Sequence, residues 1–285
     1  MQPVAVLGAT GGQGGAVADA LLAARFPVRA VVRSPRSDRA VRLSEKGAEV
    51  VAGDLADVSS LTAAFTGAQA AFAVTTPFEE GVDVEVGQGR NIIDAAGQAR
   101  LPHLVFSSVA GADRITGVPH FDSKHTVEQE LGRAGLNWTV VAPTYFFDNL
   151  FGSIAELQQG TLSLPLSSKK KLQQTARDDL GAFVAEVVKN PERHLHQRIE
   201  LASDELDLEQ MAKVLSEALR FDIRPNPEPV GPEVPADSDM GAMWRFLEGH
   251  GYQVDIRALH DSCPDVPWTS FAAWVEAQFT PGPHA

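Results

Sequence analysis

The sequence predicts an α/β fold in which a doubly wound parallel sheet is followed by a smaller C-terminal α/β lobe. In the first half of the chain, short apolar runs alternate with helix-like segments, which is typical of βαβ units. After about residue 150 this alternation loosens. A chain of 285 residues, with 44% hydrophobic and 21% charged residues, is large enough to bury such a core. We therefore expect one domain at residues 1–150 and a smaller lobe at residues 151–285 that covers the ligand cleft of the sheet.

Each predicted strand is a short run of mainly apolar residues, and each predicted helix has apolar positions at helical spacing. The six predicted strands comprise residues 4–7, 28–32, 49–51, 70–74, 103–107 and 138–141. The clearest helical segments comprise residues 14–24, 91–96, 178–189 and 207–220. Residues 224–235 contain five prolines in twelve residues, which predicts a loop or an extended connector.

The acidic composition argues against direct nucleic-acid binding. The formal net charge is −13 and the sequence pI is about 5.0, and the one basic run, Lys169 to Lys171, is short enough to be a solvated loop. The single cysteine, Cys263, has no nearby ligand set, so we expect neither a disulfide framework nor a metal site. No membrane span and no leader are recognised, so a cytoplasmic protein is expected.

A glycine-rich turn between the first strand and the first helix is typical of a Rossmann-type NAD(P)-binding domain. Three of its glycines are spaced three apart, and this strand–turn–helix context carries more information than the glycines themselves. The turn must be tight, its backbone must approach a pyrophosphate, and the amides that open the helix hold the anion. The candidate cofactor-binding residues of this turn are Gly8, Thr10, Gly11, Gly12, Gln13 and Gly14.

Arg33, at the end of the second strand, favours NADP(H) over NAD(H). In NAD-binding proteins this place usually carries Asp or Glu, whose carboxylate accepts a hydrogen bond from the ribose 2′-hydroxyl. A guanidinium instead offers fork-shaped donors to a 2′-phosphate, which a carboxylate would repel. Arg36 and Arg39 follow closely. The alternative is that Arg33 is simply an exposed loop arginine.

Five motifs in this order resemble the NmrA-like family, atypical members of the short-chain dehydrogenase/reductase superfamily, over about residues 1–220. They are the glycine turn 8–15, Arg33, Gly53-Asp54-Leu55, His120-Phe121-Asp122-Ser123-Lys124 and Pro143-Thr144-Tyr145-Phe146-Phe147-Asp148-Asn149. The resemblance implies that the glycine turn holds the pyrophosphate and Arg33 the 2′-phosphate. It implies further cofactor contacts, with the adenine for Asp54 and Leu55, with the ribose and nicotinamide half for Thr75 and Lys124, and with the nicotinamide end for Tyr145 and Asn149.

The sequence departs from the wider superfamily at the catalytic tyrosine. That superfamily uses Tyr-x-x-x-Lys on one helix face, but here the residue four positions before Lys124 is His120. His120 and Lys124 are the candidate catalytic residues, with Ser107 and Ser108 as groups that would orient a substrate oxygen. The alternative is that His120 is a helix-start histidine packed beside Phe121 without a proton-transfer role.

Two main functions and one further alternative remain open on this sequence. One is an NADP(H)-responsive sensor or regulator with a protein partner, in which loop 78–81 or segment 160–171 moves. The other is an NAD(P)H-dependent oxidoreductase acting on quinone- or azo-type acceptors, with an apolar wall for a small aromatic acceptor at Phe146 and Phe147. Trp138 is a further candidate for this wall, but the alternative for these side chains is ordinary core packing, which is favoured for Trp138 because it lies in a strand. A third, an isomerase or reductase with Lys124 as a base, requires a depressed lysine pKa.

Overall fold

The computed structural model describes residues 1–226, 235 and 237–279, and these residues form two compact units. The first unit comprises Met1–Ile115, Pro119–Ala142 and Leu180–Glu200. The second comprises Thr116–Val118, Pro143–Asp179 and the described part of Leu201–Ala285. This grouping differs from the predicted division at residue 150, because residues 180–200 return to the first unit and supply its last strand.

The strands are β1 (Val4–Leu7), β2 (Val28–Val32), β3 (Glu49–Ala52), β4 (Ala70–Val74), β5 (Leu104–Ser107), β6 (Trp138–Pro143), β7 (Tyr145–Phe146), β8 (Thr161–Leu162), β9 (Leu172–Thr175), β10 (Gln197–Leu201), β11 (Asp204–Leu206) and β12 (Arg224–Pro225). The α-helices are α1 (Gly12–Ala23), α2 (Asp38–Glu45), α3 (Val58–Phe65), α4 (Val82–Gln98), α5 (Pro119–Arg133), α6 (Ile154–Gln158), α7 (Arg177–Lys189), α8 (Leu208–Leu219), α9 (Asp239–Gly249), α10 (Ile256–Ser262) and α11 (Phe271–Phe279). Short 3-10 helices lie at Ala112–Arg114, Phe147–Ser153 and Pro191–Arg193.

The first unit is built on a seven-stranded sheet in the order β10-β6-β5-β4-β1-β2-β3. The pairs from β3 through β6 are parallel, with Leu7 opposite Val31 and Val74 opposite Ser107. The strand order reverses between β1 and β4, which is the topological switch point at which open α/β sheets bind ligands. The predicted doubly wound parallel sheet is therefore confirmed.

Both faces of this sheet are buried, which explains why its strands are continuous apolar runs. Neighbouring residues of one strand point to opposite faces, yet Ala5 and Val6 in β1 are both fully buried. On one face the helices pack closely, since a Cβ atom at Gly89 of α4 would lie 2.4 Å from Val127 of α5. Helices α7 and α1 pack equally closely, since a Cβ atom at Gly181 of α7 would lie 2.4 Å from the carbonyl oxygen of Ala16 in α1.

The second unit contains the three-stranded sheet β11-β9-β7 and the two-stranded sheet β12-β8. Its core includes Phe147, whose ring lies 5.3 Å from that of Phe271 and 5.6 Å from that of Trp274. Helix α8 begins with a capping box in which Asp207 and Gln210 each bond the other's backbone amide. None of the helices within the described ranges is long and apolar enough to cross a bilayer.

Most predicted boundaries lie within two residues of the observed ones, and the chief omission is β10. Three of its five residues, Gln197, Arg198 and Glu200, are polar, which suits a strand at the edge of the sheet beside β6. The predicted proline-rich connector is only partly covered: Arg224–Pro225 forms β12, whereas residues 227–234 lie outside the described residues.

Candidate functional site

The candidate site lies at the carboxyl edge of the parallel sheet. Gly8, Arg33, Gly53, Thr75 and Ser108 each follow the last residue of their strand, from β1 to β5. Because these strands are parallel, their ends share one edge, so segments far apart in sequence line the same border of the sheet. A Cβ atom at Gly8 would lie 3.3 Å from the Val74 side chain, which places the glycine turn beside the end of β4.

The glycine turn is closed by backbone contacts that exclude side chains. Gly8 has a φ of +64°, and its carbonyl oxygen accepts a hydrogen bond of 2.8 Å from the Gly11 amide. A Cβ atom at Gly14 would lie 2.3 Å from this same oxygen and 2.7 Å from that of Leu7. Glycine at position 14 therefore allows α1 to approach β1 directly.

The start of α1 fits a pyrophosphate group. Its N-cap, Gly11, makes no side-chain cap, and the first turn contains no acidic residue. The first-turn amides and the helix dipole favour an anion at such a terminus. The Gln13 side chain accepts a 2.6 Å hydrogen bond from the Ser107 hydroxyl, which ties the first turn to the end of β5.

Of the two serines after β5, only Ser108 keeps an uncommitted hydroxyl. The Ser107 hydroxyl proton is donated to Gln13. Ser108 is 3% exposed, and its Oγ has no hydrogen-bond partner among the described residues. The predicted role of orienting a substrate oxygen therefore suits Ser108 better than Ser107.

Arg33 lies at the end of β2, and its guanidinium is engaged by a carboxylate. Its Nη1 and Nη2 donate to the two carboxylate oxygens of Glu79 at 2.9 and 3.3 Å. Arg39 donates to the carbonyl oxygen of Thr10 at 3.2 Å, which brings a second guanidinium to the glycine turn. Arg33 is thus presented at the sheet edge, with its donors in the bidentate geometry that suits an oxyanion.

Asp54 and Leu55, the residues expected at the adenine, form the turn after β3. The Asp54 carboxylate accepts from the Ala56 amide at 2.9 Å, so it organises its own turn. The Leu55 carbonyl oxygen accepts a 2.8 Å hydrogen bond from the side-chain amide of Asn91 in α4. The turn is therefore anchored to a helix of the same unit.

Lys124 belongs to a buried polar cluster that the sequence did not reveal. Its ammonium group donates to the Glu85 carboxylate at 2.9 Å and to the Thr75 carbonyl oxygen at 3.0 Å. Glu85 in α4 is fully buried, and it also accepts from the hydroxyls of Thr75 at 2.8 Å and Ser123 at 2.5 Å. An ammonium paired with a buried carboxylate is a charged anchor, which disfavours the use of Lys124 as a base.

Glu85 nevertheless carries a signal in the sequence. The buried positions of α4 include Glu85, Gly89, Ile92 and Ala96, at spacings of four, three and four residues. A carboxylate on the apolar stripe of a helix requires a buried partner. The periodicity of α4 thus marks Glu85, but only the packing of α4 against α5 identifies Lys124 as its partner.

His120 is buried at the start of α5, one turn before Lys124. Its ring centroid lies 4.8 Å from that of Phe121 in an edge-on contact and 5.4 Å from that of Phe78. Phe78, in the loop after β4, is 68% exposed. His120 therefore packs beside Phe121, as the alternative without a proton-transfer role expected. The exposed ring of Phe78 covers the histidine in addition.

Tyr145 and Asn149, expected at the nicotinamide end, belong to the second unit. Burial raises the pKa of the Tyr145 phenol to about 12, although a hydrogen bond with Asn149 opposes this shift. The ring of Tyr145 lies 5.4 Å from that of Trp244. At neutral pH the phenol remains protonated, so it can donate a hydrogen bond but does not act as a base.

The expected acceptor wall and the expected moving segment 160–171 do not both fit the structure. Phe147 is fully buried in the core of the second unit, so it forms no wall of an acceptor site. Trp138 packs against the core of the first unit, as its core-packing alternative expected. Segment 160–171 is held at several points, since the Ser167 amide donates to Glu248 at 2.9 Å and Lys169 pairs with Glu209 at 2.5 Å. Segment 160–171 is therefore less suited than loop 78–81 to change position with the cofactor state.

Among the residues that the structure describes, no group of three or more His, Cys, Asp or Glu is arranged to hold a metal ion. Cys263 is buried within the second unit.

Comparison with known proteins points to one family. The model of the NmrA-like family matches residues 1–264. The NmrA-like family domain-containing oxidoreductase FrzB of Cladobotryum sp is 32% identical over 220 residues, which is 67% of this chain and 66% of FrzB. The corresponding oxidoreductase ptmS of Penicillium ochrochloron is 30% identical over 249 residues, 76% of this chain and 74% of ptmS. The chain spans less than half of some further relatives, such as 45% of notA of Aspergillus sp..

Solved structures share the fold across nearly the whole chain. The NADPH-dependent quinone oxidoreductase QOR2 of Escherichia coli, complexed with NADPH, has a TM-score of 0.82 at 24% identity, covering 97% of this chain and 100% of QOR2. The triphenylmethane reductase of Citrobacter sp., complexed with NADP(H), has a TM-score of 0.82 at 22% identity, with 96% and 99% covered. NmrA, a negative transcriptional regulator in complex with NADP, has a TM-score of 0.80 at 21% identity, with 98% and 95% covered.

These neighbours were determined with nicotinamide dinucleotides, in agreement with the predicted cofactor class, and they include both reductases and a regulator. The family match over residues 1–264 confirms the resemblance seen in the sequence motifs. The chain belongs to the NmrA-like family of NAD(P)-binding oxidoreductase-type proteins.

Proposed function

We propose that this protein binds NADP(H) and acts as a cofactor-responsive sensor or regulator. The observation that carries the proposal is the pairing of the Cβ-free cradle at Gly8, Gly11 and Gly14 with a guanidinium, Arg33, on the same sheet edge. The cradle suits the pyrophosphate, and Arg33 suits the 2′-phosphate that distinguishes NADP(H) from NAD(H).

Calorimetric titration with NADP⁺ and NAD⁺ tests the cofactor. We expect tighter binding of NADP⁺, and we expect Arg33→Ala to weaken NADP⁺ binding by about tenfold or more, because hydrogen bonds to charged groups contribute about 1.5–3 kcal/mol. Arg36→Ala is the matched control, since Arg36 is an exposed arginine of the same loop. If NAD⁺ bound to the unmodified protein as tightly as NADP⁺ or more tightly, the assignment of NADP(H) as the cofactor would be wrong.

The sensor role rests on the residues around the nicotinamide end. The histidine in place of the superfamily tyrosine is buried under Phe78, and Lys124 is anchored by Glu85. These residues suit the binding and orientation of a cofactor better than tyrosine-driven carbonyl reduction. With a net charge of −13, a regulator of this kind would act through a protein partner rather than through nucleic acid.

Limited proteolysis with NADP⁺, NADPH or no cofactor tests the sensor role. We expect the cofactor to change the cleavage rate in loop 78–81, since a sensor requires a segment whose position depends on the cofactor. Identical cleavage patterns in all three states would count against this role, whatever the binding affinity.

An NADPH-dependent reductase of quinone- or azo-type acceptors is the second candidate. Bound NADPH would supply a hydride, and an acceptor of this class requires no tyrosine acid. The specific observation in its favour is the exposed Phe78 ring beside His120, an aromatic surface next to a titratable imidazole. Ser108, with its uncommitted hydroxyl, would orient an acceptor oxygen.

A quinone panel separates the two candidates. A reductase would consume NADPH when quinones are added, and His120→Ala would lose most of this rate whereas His125→Ala, on the same helix, would keep it. No turnover across the panel by a protein that binds NADPH would exclude the reductase and leave the sensor.

A further inference from the structure

The loop between β4 and α4 contacts both ends of the predicted cofactor site. Its Glu79 carboxylate accepts hydrogen bonds from both terminal nitrogens of the Arg33 guanidinium, one on each oxygen. At residue 78 it places an aromatic ring over His120, with 5.4 Å between ring centroids. Two consecutive residues therefore connect the guanidinium expected at the 2′-phosphate with the histidine expected near the nicotinamide.

The ends of this loop are fixed, whereas its tip is exposed. Thr75 is buried and bonded to Glu85 and Lys124, and the Gly81 amide donates to the Pro77 carbonyl oxygen at 2.8 Å. Gly81 has a φ of +95°, a conformation that suits glycine at the start of α4. Between these anchors, the Glu79 side chain is 55% exposed, and that of its partner Arg33 is 71% exposed, so the ion pair breaks at low cost.

The Glu79 carboxylate and a 2′-phosphate require the same donors. Both are oxyanions that accept parallel hydrogen bonds from a guanidinium fork, and a carboxylate left in place would repel the phosphate. NAD(H), which carries a 2′-hydroxyl, makes no such demand on Arg33. The exchange of one anion for another is thus specific to the phosphorylated cofactor.

We infer that Glu79 is a specificity-determining residue that occupies the 2′-phosphate position on Arg33 in the free protein, and that its displacement by NADP(H), but not by NAD(H), loosens Phe78 from His120. This inference rests on the proposed binding of NADP(H) at Arg33. It adds the residue that competes with the cofactor and the path by which the 2′-phosphate changes the surroundings of His120.

Calorimetry on Glu79→Gln tests the competition. The variant removes the competing charge, so we expect about two- to fivefold tighter NADP⁺ binding, the range that an exposed ion pair allows, and no change for NAD⁺. Glu80→Gln is the matched control, because it removes an exposed charge from the same loop outside the Arg33 pair. Equal effects of the two variants, or equal effects on the two cofactors, would overturn the competition.

A fluorescence reporter tests the link to His120. In Phe78→Trp, we expect NADP⁺ to change the indole emission, after subtraction of the same titration of the unmodified protein, and NAD⁺ to leave it unchanged. We also expect Phe78→Trp combined with Glu79→Gln to show the altered emission before any cofactor is added. An identical response to NADP⁺ and NAD⁺ would refute the coupling.

The failure of this inference differs from the failure of the proposed function. If the unmodified protein binds neither dinucleotide, the proposed function fails and takes this inference with it. If it prefers NADP⁺ but Glu79→Gln behaves like Glu80→Gln, only the role of Glu79 fails.

Discussion

The buried pair of Glu85 and Lys124 yields the sharpest prediction about stability. Glu85→Gln preserves the shape of the side chain and one of its two acceptor oxygens, so it keeps an acceptor for Thr75 or for Ser123, but it leaves the Lys124 ammonium without a countercharge. Lys124 is only 7% exposed, so water does not replace the lost charge. Removing one partner of a buried ion pair costs about 3–5 kcal/mol, whereas replacing both partners is often neutral.

A double-mutant cycle measures this coupling. We expect Glu85→Gln and Lys124→Met each to lower the free energy of unfolding by about 3 kcal/mol or more, or the melting temperature by about 6 °C or more. The double variant should recover most of this loss, because neither buried charge remains. Urea denaturation followed by far-ultraviolet circular dichroism provides the assay. Single variants within about 1 kcal/mol of the unmodified protein, with an additive double variant, would refute the reasoning.

Two further predictions concern packing and pH. Gly14→Ala places a Cβ atom 2.3 Å from the Gly8 carbonyl oxygen, so we expect lost NADP⁺ affinity and about 1–3 kcal/mol of destabilisation, whereas Gly15→Ala, whose Cβ would lie 3.5 Å from its nearest neighbour, should be tolerated. Titration calorimetry and thermal denaturation of both variants test this. Burial, and then the charges of nearby histidines, lower the pKa of His103 from 6.5 to about 4. In the unfolded chain His103 binds a proton below about pH 6.5, whereas in the folded protein it does so only near pH 4. The free energy of unfolding should therefore fall by about 3 kcal/mol as the pH falls from 6.5 to about 4. Urea midpoints across that range should vary less in His103→Gln, and an unchanged pH profile in this variant would contradict the assignment.

The sequence by itself determined the parallel sheet, the glycine turn and the position of Arg33. These features are local or periodic. Continuous apolar runs indicate strands buried on both faces. Gly14 is required by a backbone contact with Gly8, only six positions earlier. The sequence also showed that the superfamily tyrosine is replaced by His120, because Tyr-x-x-x-Lys is a spacing within one helix. The sequence did not predict that residues 180–200 belong to the first unit, since edge strand β10 lacks a continuous apolar signal.

Only the tertiary structure decided which side chains meet at the site. Glu85 and Lys124 are 39 residues apart, and Arg33 and Glu79 are 46 apart, so no spacing rule connects them. Lys124, which the resemblance assigned to the cofactor, proved to be anchored by a buried carboxylate, and Arg33 proved to be paired with Glu79. The physical reason is that a parallel sheet gathers the ends of distant strands at one edge, where charges find partners through packing rather than through sequence order.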